Sequence, residues 1–195
     1  MDFTYSERSR DIQARVQRFM EDNIYPRVRE WDDLVHQGQF PPPFIEDLKA
    51  KAKAEGLWNM FLPGLRDDEP GTRLSNLDYA PVAEILGRVM WSSEVFNCNA
   101  PDTGNMELLH MFANKQQYDA WLRPLLEGKI RSAFVMTEPA VASSDATNIQ
   151  TRIERVGDHY VINGRKWFIT NAADPRCKIS ILMVVTNPDA ETHRR

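Results

Sequence analysis

The chain has 195 residues, which is enough for one well-packed domain, or for one domain and part of a second. Its hydrophobic content of 42%, its charged content of 27% and its net charge of −4 are ordinary for a globular protein and give no reason to expect a nucleic-acid partner. No apolar run approaches the roughly 18 residues that a membrane-spanning helix needs, so membrane insertion is not expected.

The chain is predicted to begin with a long helix. Apolar residues recur every three or four positions, and Thr4 with Glu7 has the spacing of a capping box, so this helix should reach about Tyr25. Pro26 should end or kink it, because proline lacks the N–H that the helix needs, and a helical continuation through Trp31 should follow.

Four more helices are predicted before residue 130. They cover about 44–54, a segment starting at residue 75, about 104–112 and about 115–126. Ser75 with Asp78 has N-cap spacing, and Gly56 and Gly128 are placed to close two of the helices at their C-termini. The apolar stripe predicted for the helix that starts at residue 75 comprises Leu77, Val82, Ile85, Leu86, Val89 and Met90.

After Gly128 the pattern becomes that of strands. Strands are predicted at Ser132–Thr137, 149–153, Tyr160–Ile162, Trp167–Thr170 and Ile179–Val185, with a turn at Gly157-Asp158. Helices followed by strands, without βαβ alternation, predict an α+β fold. Residues 1–130 should form an all-helical domain, and residues 131–195 an antiparallel β domain. The last strand would leave an open edge, so we expect the chain to end inside this β domain and to lack a further C-terminal helical domain.

Several familiar ligand-binding motifs are absent. The nine glycines are never closer than seven residues apart, which excludes the glycine-rich loops of dinucleotide-binding and P-loop proteins. The four histidines show no metal-ligand spacing, so no metal site is expected. Cys98 and Cys177 stand alone and are predicted to be free thiols in a reducing compartment. With no signal or transit peptide visible, a cytoplasmic location is expected, or a mitochondrial or peroxisomal one for a processed eukaryotic protein.

Two segments carry the strongest indication of a ligand. In residues 134–145, an apolar run leads into a turn that is rich in hydroxyl groups. Residues 166–171 combine aromatic residues with a threonine. Side by side in a sheet, they would present backbone N–H groups, threonine hydroxyls and an aromatic face to one flat ligand. A flavin ring requires that combination, because its edge needs hydrogen bonds and its face needs stacking.

These segments resemble the two flavin signatures of the acyl-CoA dehydrogenase family. Phe134–Pro139 with Ser144-Asp145 is similar to the first signature, and Val161–Asn171 is similar to the second. The helix that carries Tyr118 and Trp121 is similar to the one that closes the N-terminal domain in the family. The resemblance covers the whole chain, with the motifs in the family's order and spacing.

The chain departs from the common family pattern at two places. The turn over residues 138–145 has one extra residue and no glycine, and Phe168 replaces the usual tryptophan, which here precedes it as Trp167. The turn over residues 138–145 and the segment 95–105 together resemble the corresponding segments of one branch of the family, whose members in animals can be fused to a phosphotransferase-like domain.

The resemblance implies FAD as cofactor and the α,β-dehydrogenation of an acyl-CoA thioester to the trans-2-enoyl-CoA. Thr137 and the backbone of Met136 would bind the pyrimidine side of the flavin, Thr170 would bond near N5, and Phe168 would cover the ring face away from substrate. Ser144 would contact both cofactor and acyl-CoA. The cofactor-binding residues implied in this way are Phe134, Met136, Thr137, Ser143, Ser144, Phe168 and Thr170.

No catalytic residue is assigned within the chain, because the family's base lies on a C-terminal helix, beyond residue 195. Glu138 precedes a proline at a turn, so we expect it to serve in a cap or a salt bridge and not as a base, and Asp145 should be a turn and N-cap residue. The implied partners are acyl-CoA, an electron-transfer flavoprotein and, at full length, further copies in a homodimer or homotetramer.

Two alternatives to a dehydrogenase stay open. The chain as it stands could be a non-catalytic truncated module or a partner-binding fragment, or the enzyme could be a flavin oxidase of the same fold.

Overall fold

In the computed structural model, which describes residues 4–194, helices occupy the chain as far as Leu126 and strands follow from Arg131. The helices are α1 (Glu7–Phe19), α2 (Val28–His36), α3 (Ile45–Ala54), α4 (Asn76–Leu86), α5 (Ser92–Val95), α6 (Asp102–Phe112), α7 (Lys115–Gln117) and α8 (Arg123–Leu126). The strands are β1 (Arg131–Val135), β2 (Arg152–Val156), β3 (His159–Asn163) and β4 (Cys177–Leu182). The predicted α+β class is confirmed.

Two expectations rest partly on residues outside this range. The absence of a targeting signal involves residues 1–3, and the open edge at the end of the β domain involves residue 195. Within residues 4–194, no helix is both long enough and apolar enough to cross a membrane.

The first helical stretch continues through Pro26, as predicted. Non-α turns at Met20–Ile24 and Tyr25–Arg27 lie between α1 and α2, and they accommodate the proline without ending the helical path. The predicted cap at Thr4 is wrong, because Ser6 caps α1 and its hydroxyl accepts the Ser9 N–H at 3.0 Å.

The helix predicted to start at Ser75 is confirmed, but its apolar stripe is only partly correct. Val82, Ile85 and Leu86 are buried, at the spacing of one helix face. Leu77 is 79% exposed because it lies five residues, and hence about 140°, from Val82 on the helix. Beyond the end of α4 at Leu86, Val89 is partly buried and packs against the core, whereas Met90 is 96% exposed.

The hydrophobic core lies in the helical region. Its members span Ile12 to Leu126, and at its centre Phe19 packs edge-to-face on Phe96 with ring centroids 5.0 Å apart. In the described part of the strand region, the buried apolar residues are Ala133 and Ile149. The strands therefore depend on polar contacts and on the helical layer for most of their packing.

The strands form two pairs of opposite sense. β2 and β3 form an antiparallel hairpin in which Ile153 faces Ile162, and the predicted turn at Gly157 has a φ of +60°. β1 pairs with β4 in parallel, with Ala133 opposite Ser180. The antiparallel prediction thus holds for the hairpin only, because the long segment 136–176 returns the chain to the start of β1 before β4 begins.

The predicted strand at Trp167–Thr170 is not a strand. Phe168 and Asn171 have φ values of +49° and +69°, which interrupt an extended ladder. The segment nevertheless lies beside β1, because the Trp167 N–H donates to the Thr137 carbonyl at 3.1 Å and the Asn171 side chain donates to the Ser132 carbonyl at 3.0 Å.

A buried ionic cluster, which we call the junction cluster, joins the helices to β1. It consists of Lys49, Glu94, Asp102, Arg131, Asp174 and Arg176. Asp102, at the start of α6, pairs with the Arg131 side chain and accepts the Ser132 N–H at 2.7 Å. One carboxylate therefore holds the first two residues of β1 against α6.

Glu94 connects the other cations of the junction cluster. Its carboxylate lies 2.5 Å from Arg131, 2.6 Å from Arg176 and 3.1 Å from Lys49. Burial alone would raise the pKa of Glu94, but the charges of Arg131, Lys49 and Arg176 outweigh burial and hold that pKa below its usual value.

Asp102→Asn should destabilise the protein by about 3–5 kcal/mol, because it removes one of the two carboxylates that face the buried Arg131 and offers the Ser132 N–H a poorer acceptor. Urea unfolding of the chain at neutral pH measures this loss. Asp119→Asn is the matched control, since Asp119 forms exposed ion pairs and its loss should have little effect. Equal losses in the two variants would contradict a dominant role for the junction cluster.

Candidate functional site

The two segments that resemble flavin signatures lie side by side. The Trp167 N–H donates to the Thr137 carbonyl at 3.1 Å, and the Lys166 ammonium donates to the Met136 carbonyl at 2.8 Å. Thr170 follows Trp167 by three residues, a span of at most about 11 Å. The neighbouring positions predicted for the segments around Thr137 and Thr170 are therefore found, although residues 167–170 themselves form no strand.

Several hydrogen-bond donors here are uncommitted within residues 4–194. The Thr137 N–H, the Thr137 hydroxyl and the Thr170 hydroxyl bond to no other described residue, and both threonines are exposed. Phe168 is 84% exposed, and its ring lies against that of Trp167, at a centroid distance of 4.6 Å. Donors next to an open aromatic surface fit the edge and the face of a flavin.

The backbone of Phe168 is strained. A bulky residue seldom adopts a φ of +49°, and such a conformation costs on the order of 1–3 kcal/mol. The exposed ring gains little burial in return. A strained and exposed aromatic residue is expected where a ligand supplies the missing contact, so this geometry supports Phe168 as a stacking residue.

Glu138 holds the first segment in place through buried hydrogen bonds to its carboxylate. It is 5% exposed, and its carboxylate accepts hydrogen bonds from the Thr151 hydroxyl (2.6 Å), the Thr151 N–H (2.9 Å), the Gln150 N–H (2.8 Å) and the Lys166 ammonium (2.9 Å). Burial alone would raise the pKa of Glu138, but the bonds from Thr151, Lys166 and Gln150 bring it to about 2. The predicted salt-bridge role is thus observed, and a carboxylate held this way is a poor proton acceptor.

Thr151 also explains why residue 164, in the second segment, is a glycine. A Cβ added at Gly164 would lie 2.2 Å from the Thr151 Oγ1, so no larger residue fits without a shift of the backbone. Glu138, Thr151, Gly164 and Lys166 form one unit, which we call the clamp. The clamp fixes the spacing between the segments that carry Thr137 and Phe168.

The hydroxyl-rich turn divides into buried and exposed parts. Ser143 is 4% exposed, and its hydroxyl accepts the Glu138 N–H at 2.9 Å, so it supports the turn from inside. Ser144 is exposed. The Asp145 carboxylate accepts the Thr147 N–H at 2.9 Å and caps a short 3₁₀ turn, as predicted. Contact of Ser143 or Ser144 with a cofactor stays a prediction.

Apolar cavities flank the site on its helical side. One of about 370 Å³ lies beside Phe134, which is partly exposed, and its wall includes Ala100, Gly104 and Leu108. Another, of about 560 Å³, lies beside Thr170, and its wall includes Ala100, Trp31, Phe40 and Trp91. Ala100 lines both cavities, which lie next to two of the candidate flavin contacts, Phe134 and Thr170.

Sequence reasoning missed the clamp residues Thr151, Gly164 and Lys166 and the junction residues Asp102 and Arg131. One signal was available for Lys166, which is a charged residue directly before the aromatic pair Trp167-Phe168. No local pattern pairs Asp102 with Arg131, because the two residues belong to different elements.

Comparisons with known proteins agree with this arrangement. A family model described as "Acyl-CoA dehydrogenase, N-terminal domain" matches residues 6–129, and one described as "Acyl-CoA dehydrogenase, middle domain" matches residues 133–195. A Mycobacterium tuberculosis protein named probable acyl-CoA dehydrogenase FadE2 is 54% identical over 203 residues, covering 100% of this chain and 48% of its own length. Acyl-CoA dehydrogenase family member 11 of Gallus gallus is 46% identical over 99% of this chain and 25% of its own length.

Solved structures show the same likeness. A Mycobacterium abscessus structure that carries the acyl-CoA dehydrogenase name has a TM-score of 0.87 and 47% identity, over 96% of this chain and 48% of that one. The FAD complex of PigA has a TM-score of 0.73 and 27% identity, over 97% of this chain and 46% of that one. The chain thus spans about half the length of these structures, and half or less of the curated relatives.

The stability of the protein should depend on the ionised form of Glu138. Its folded pKa of about 2 lies below the unfolded value of about 4.3, so its contribution is complete only above about pH 5.5 and is lost as the pH falls towards 2. The loss should amount to about 3 kcal/mol. Urea unfolding from pH 2 to pH 7 should show a smaller fall across this window for Glu138→Gln. Parallel curves for the two proteins would rule out the assigned pKa.

Gly164→Ala should cost about 1–3 kcal/mol, because the new methyl group overlaps Thr151. Gly104→Ala is the matched control: a Cβ there has open space, and alanine should gain about 0.5–1 kcal/mol in helix α6. Thermal or urea unfolding compares the two variants. A Gly164→Ala protein as stable as the parent chain would show that the clamp is not closely packed.

Proposed function

The chain belongs to the acyl-CoA dehydrogenase family, and from that premise we propose that it forms the flavin-binding part of an FAD-dependent enzyme of lipid metabolism. The reaction would be α,β-dehydrogenation of an acyl-CoA thioester to the trans-2-enoyl-CoA. The observation that carries the proposal is the pairing of uncommitted donors on Thr137 and Thr170 with the strained, exposed ring of Phe168. The FAD complex of PigA, a structural neighbour, supports the choice of cofactor.

Four positions would hold the flavin. The Thr137 N–H and hydroxyl, with the backbone of Met136, would donate at the pyrimidine edge, where preorganised donors stabilise negative charge. Thr170 would donate near N5, and Phe168 would cover one face. The bound cofactor supplies the hydride acceptor of the reaction.

The acyl-CoA would lie along the helical side of the site. The two cavities that Ala100 lines would take the acyl chain, since their walls are mainly apolar and they adjoin Phe134 and Thr170. Ser144, exposed on the turn, would contact both cofactor and substrate.

The general base would come from a part of the protein beyond residue 195. Glu138 does not suit the role, because four hydrogen bonds hold its carboxylate in the ionised form with a pKa of about 2. The greater length of the relatives supports this division, in which residues 1–130 and 131–195 would be a helical domain and part of a β domain, with a C-terminal helical domain outside the chain.

The partners proposed with this function are an electron-transfer flavoprotein, which would reoxidise the flavin, and further copies of the full-length protein in a homodimer or homotetramer. We also propose that the protein is cytoplasmic.

The decisive experiment mixes purified protein with acyl-CoAs without oxygen. The full-length protein should be yellow, and a panel of acyl-CoAs of different chain lengths should bleach its visible flavin absorbance. The 195-residue chain alone should retain flavin poorly and show no turnover, because the base is proposed to lie beyond residue 195. Full-length protein that binds no flavin would favour the non-catalytic module, rapid reaction of the reduced flavin with oxygen would favour an oxidase, and turnover by the short chain would make Glu138 the first candidate base.

Thr137→Ala should lower the flavin reduction potential in the full-length enzyme, because the reduced ring loses a donor. A hydrogen bond to a charged group contributes about 1.5–3 kcal/mol, which corresponds to a shift of about 30–60 mV for a two-electron couple. Redox titration measures the shift, with the exposed Thr186→Ala as control. An unchanged potential and unchanged flavin content would count against the role of Thr137.

A further inference from the structure

We propose that Lys166 is a positioning residue that tunes the flavin reduction potential by polarising the peptide bond between Met136 and Thr137. The inference rests on the proposed function, and it adds a residue to which that function assigns no role. Lys166 would not touch the flavin and would act through the Thr137 N–H.

The position of the Lys166 ammonium carries the first step. Its side chain is 9% exposed, and its nitrogen lies 2.8 Å from the Met136 carbonyl oxygen and 2.9 Å from the Glu138 carboxylate. A buried ammonium in hydrogen-bond contact with a carbonyl polarises it strongly, because little water is present to screen the charge.

The covalent structure of the peptide carries the second step. The Met136 carbonyl and the Thr137 N–H belong to one conjugated amide group, so a cation bound at the oxygen withdraws electron density from the nitrogen. The N–H then becomes a stronger donor, as in any chain of cooperative hydrogen bonds. Among the described residues the Thr137 N–H has no acceptor, so its donor strength is available to a ligand.

The third step of the argument concerns Glu138, whose carboxylate balances the positive charge of Lys166. The Lys166–Glu138 pair is neutral as a whole, yet only the ammonium bonds to the Met136 carbonyl. The site therefore gains a polarised donor without a net charge. The same pairing keeps Lys166 in place, since the carboxylate is itself held by Thr151 and Gln150.

The test uses the FAD-loaded full-length enzyme and redox titration. Lys166→Met should weaken binding of reduced relative to oxidised flavin about tenfold, which lowers the potential by about 30 mV. Lys166→Arg should stay close to the parent protein, because it retains charge and donors. Lys178→Met is the control: Lys178 is exposed, donates to the nearby Pro175 carbonyl and should leave the potential unchanged.

A charge-balanced double variant separates polarisation from simple charge. Glu138→Gln alone should raise the potential, because it leaves a positive charge near the reduced ring. Lys166→Met combined with Glu138→Gln restores a neutral pair but removes the polarising contact, so its potential should remain below that of the parent protein. A double variant at the parent potential would overturn the proposal.

A second readout needs no flavin. In the 195-residue chain, the NMR signal of the Thr137 amide proton should move upfield in Lys166→Met and keep its position in Lys166→Arg and Lys178→Met. An unchanged Thr137 signal in Lys166→Met would also overturn the proposal. Failure of the full-length protein to bind flavin would contradict the proposed function, and the amide signal would still decide whether Lys166 polarises this peptide.

Discussion

The structure depends first on the buried contact between Asp102 and the start of β1. This carboxylate binds the Arg131 side chain and the Ser132 N–H together, so it fixes the position of the first two residues of β1 against α6. Desolvating these charges is costly, and the cost is met because three carboxylates of the junction cluster face three cations. With β1 held at its beginning, the residues that follow it are also placed.

Polar contacts carry this placement to the candidate site. The strand region buries few apolar side chains among its described residues, so burial alone cannot order it. The clamp orders it instead: Glu138 of the first segment accepts hydrogen bonds from Gln150, Thr151 and Lys166. Lys166 also ties the second segment to the backbone of the first. The hydrogen bonds of the clamp do not use the Thr137 N–H and hydroxyl, the Thr170 hydroxyl or the Phe168 ring. These groups are therefore open to a ligand.

Local patterns were reliable where a local cause decides the structure. Helical periodicity, the Ser75 cap and the glycines at 56, 128 and 157 predicted element ends that the structure confirms, because each depends on a few adjacent residues. The same reasoning failed at Leu77, where apolar character was read as burial, and at 167–170, where β-like composition was read as a strand. Leu77 is exposed because of its position around the helix, and residues 167–170 form no strand because positive φ values interrupt the extended backbone.

The sequence by itself determined the α+β order, the family and the two segments that form the candidate site, because these follow from periodicity and from motifs contained in short stretches. Only the tertiary structure decided that β1 and β4 run parallel, that Phe168 turns outward, and that Glu138 is bound by Thr151 and Lys166 and so is not free to act as a base. The physical reason is that hydrogen bonds and ion pairs of buried groups join residues distant in sequence, and their partners are chosen by the packing of the whole chain.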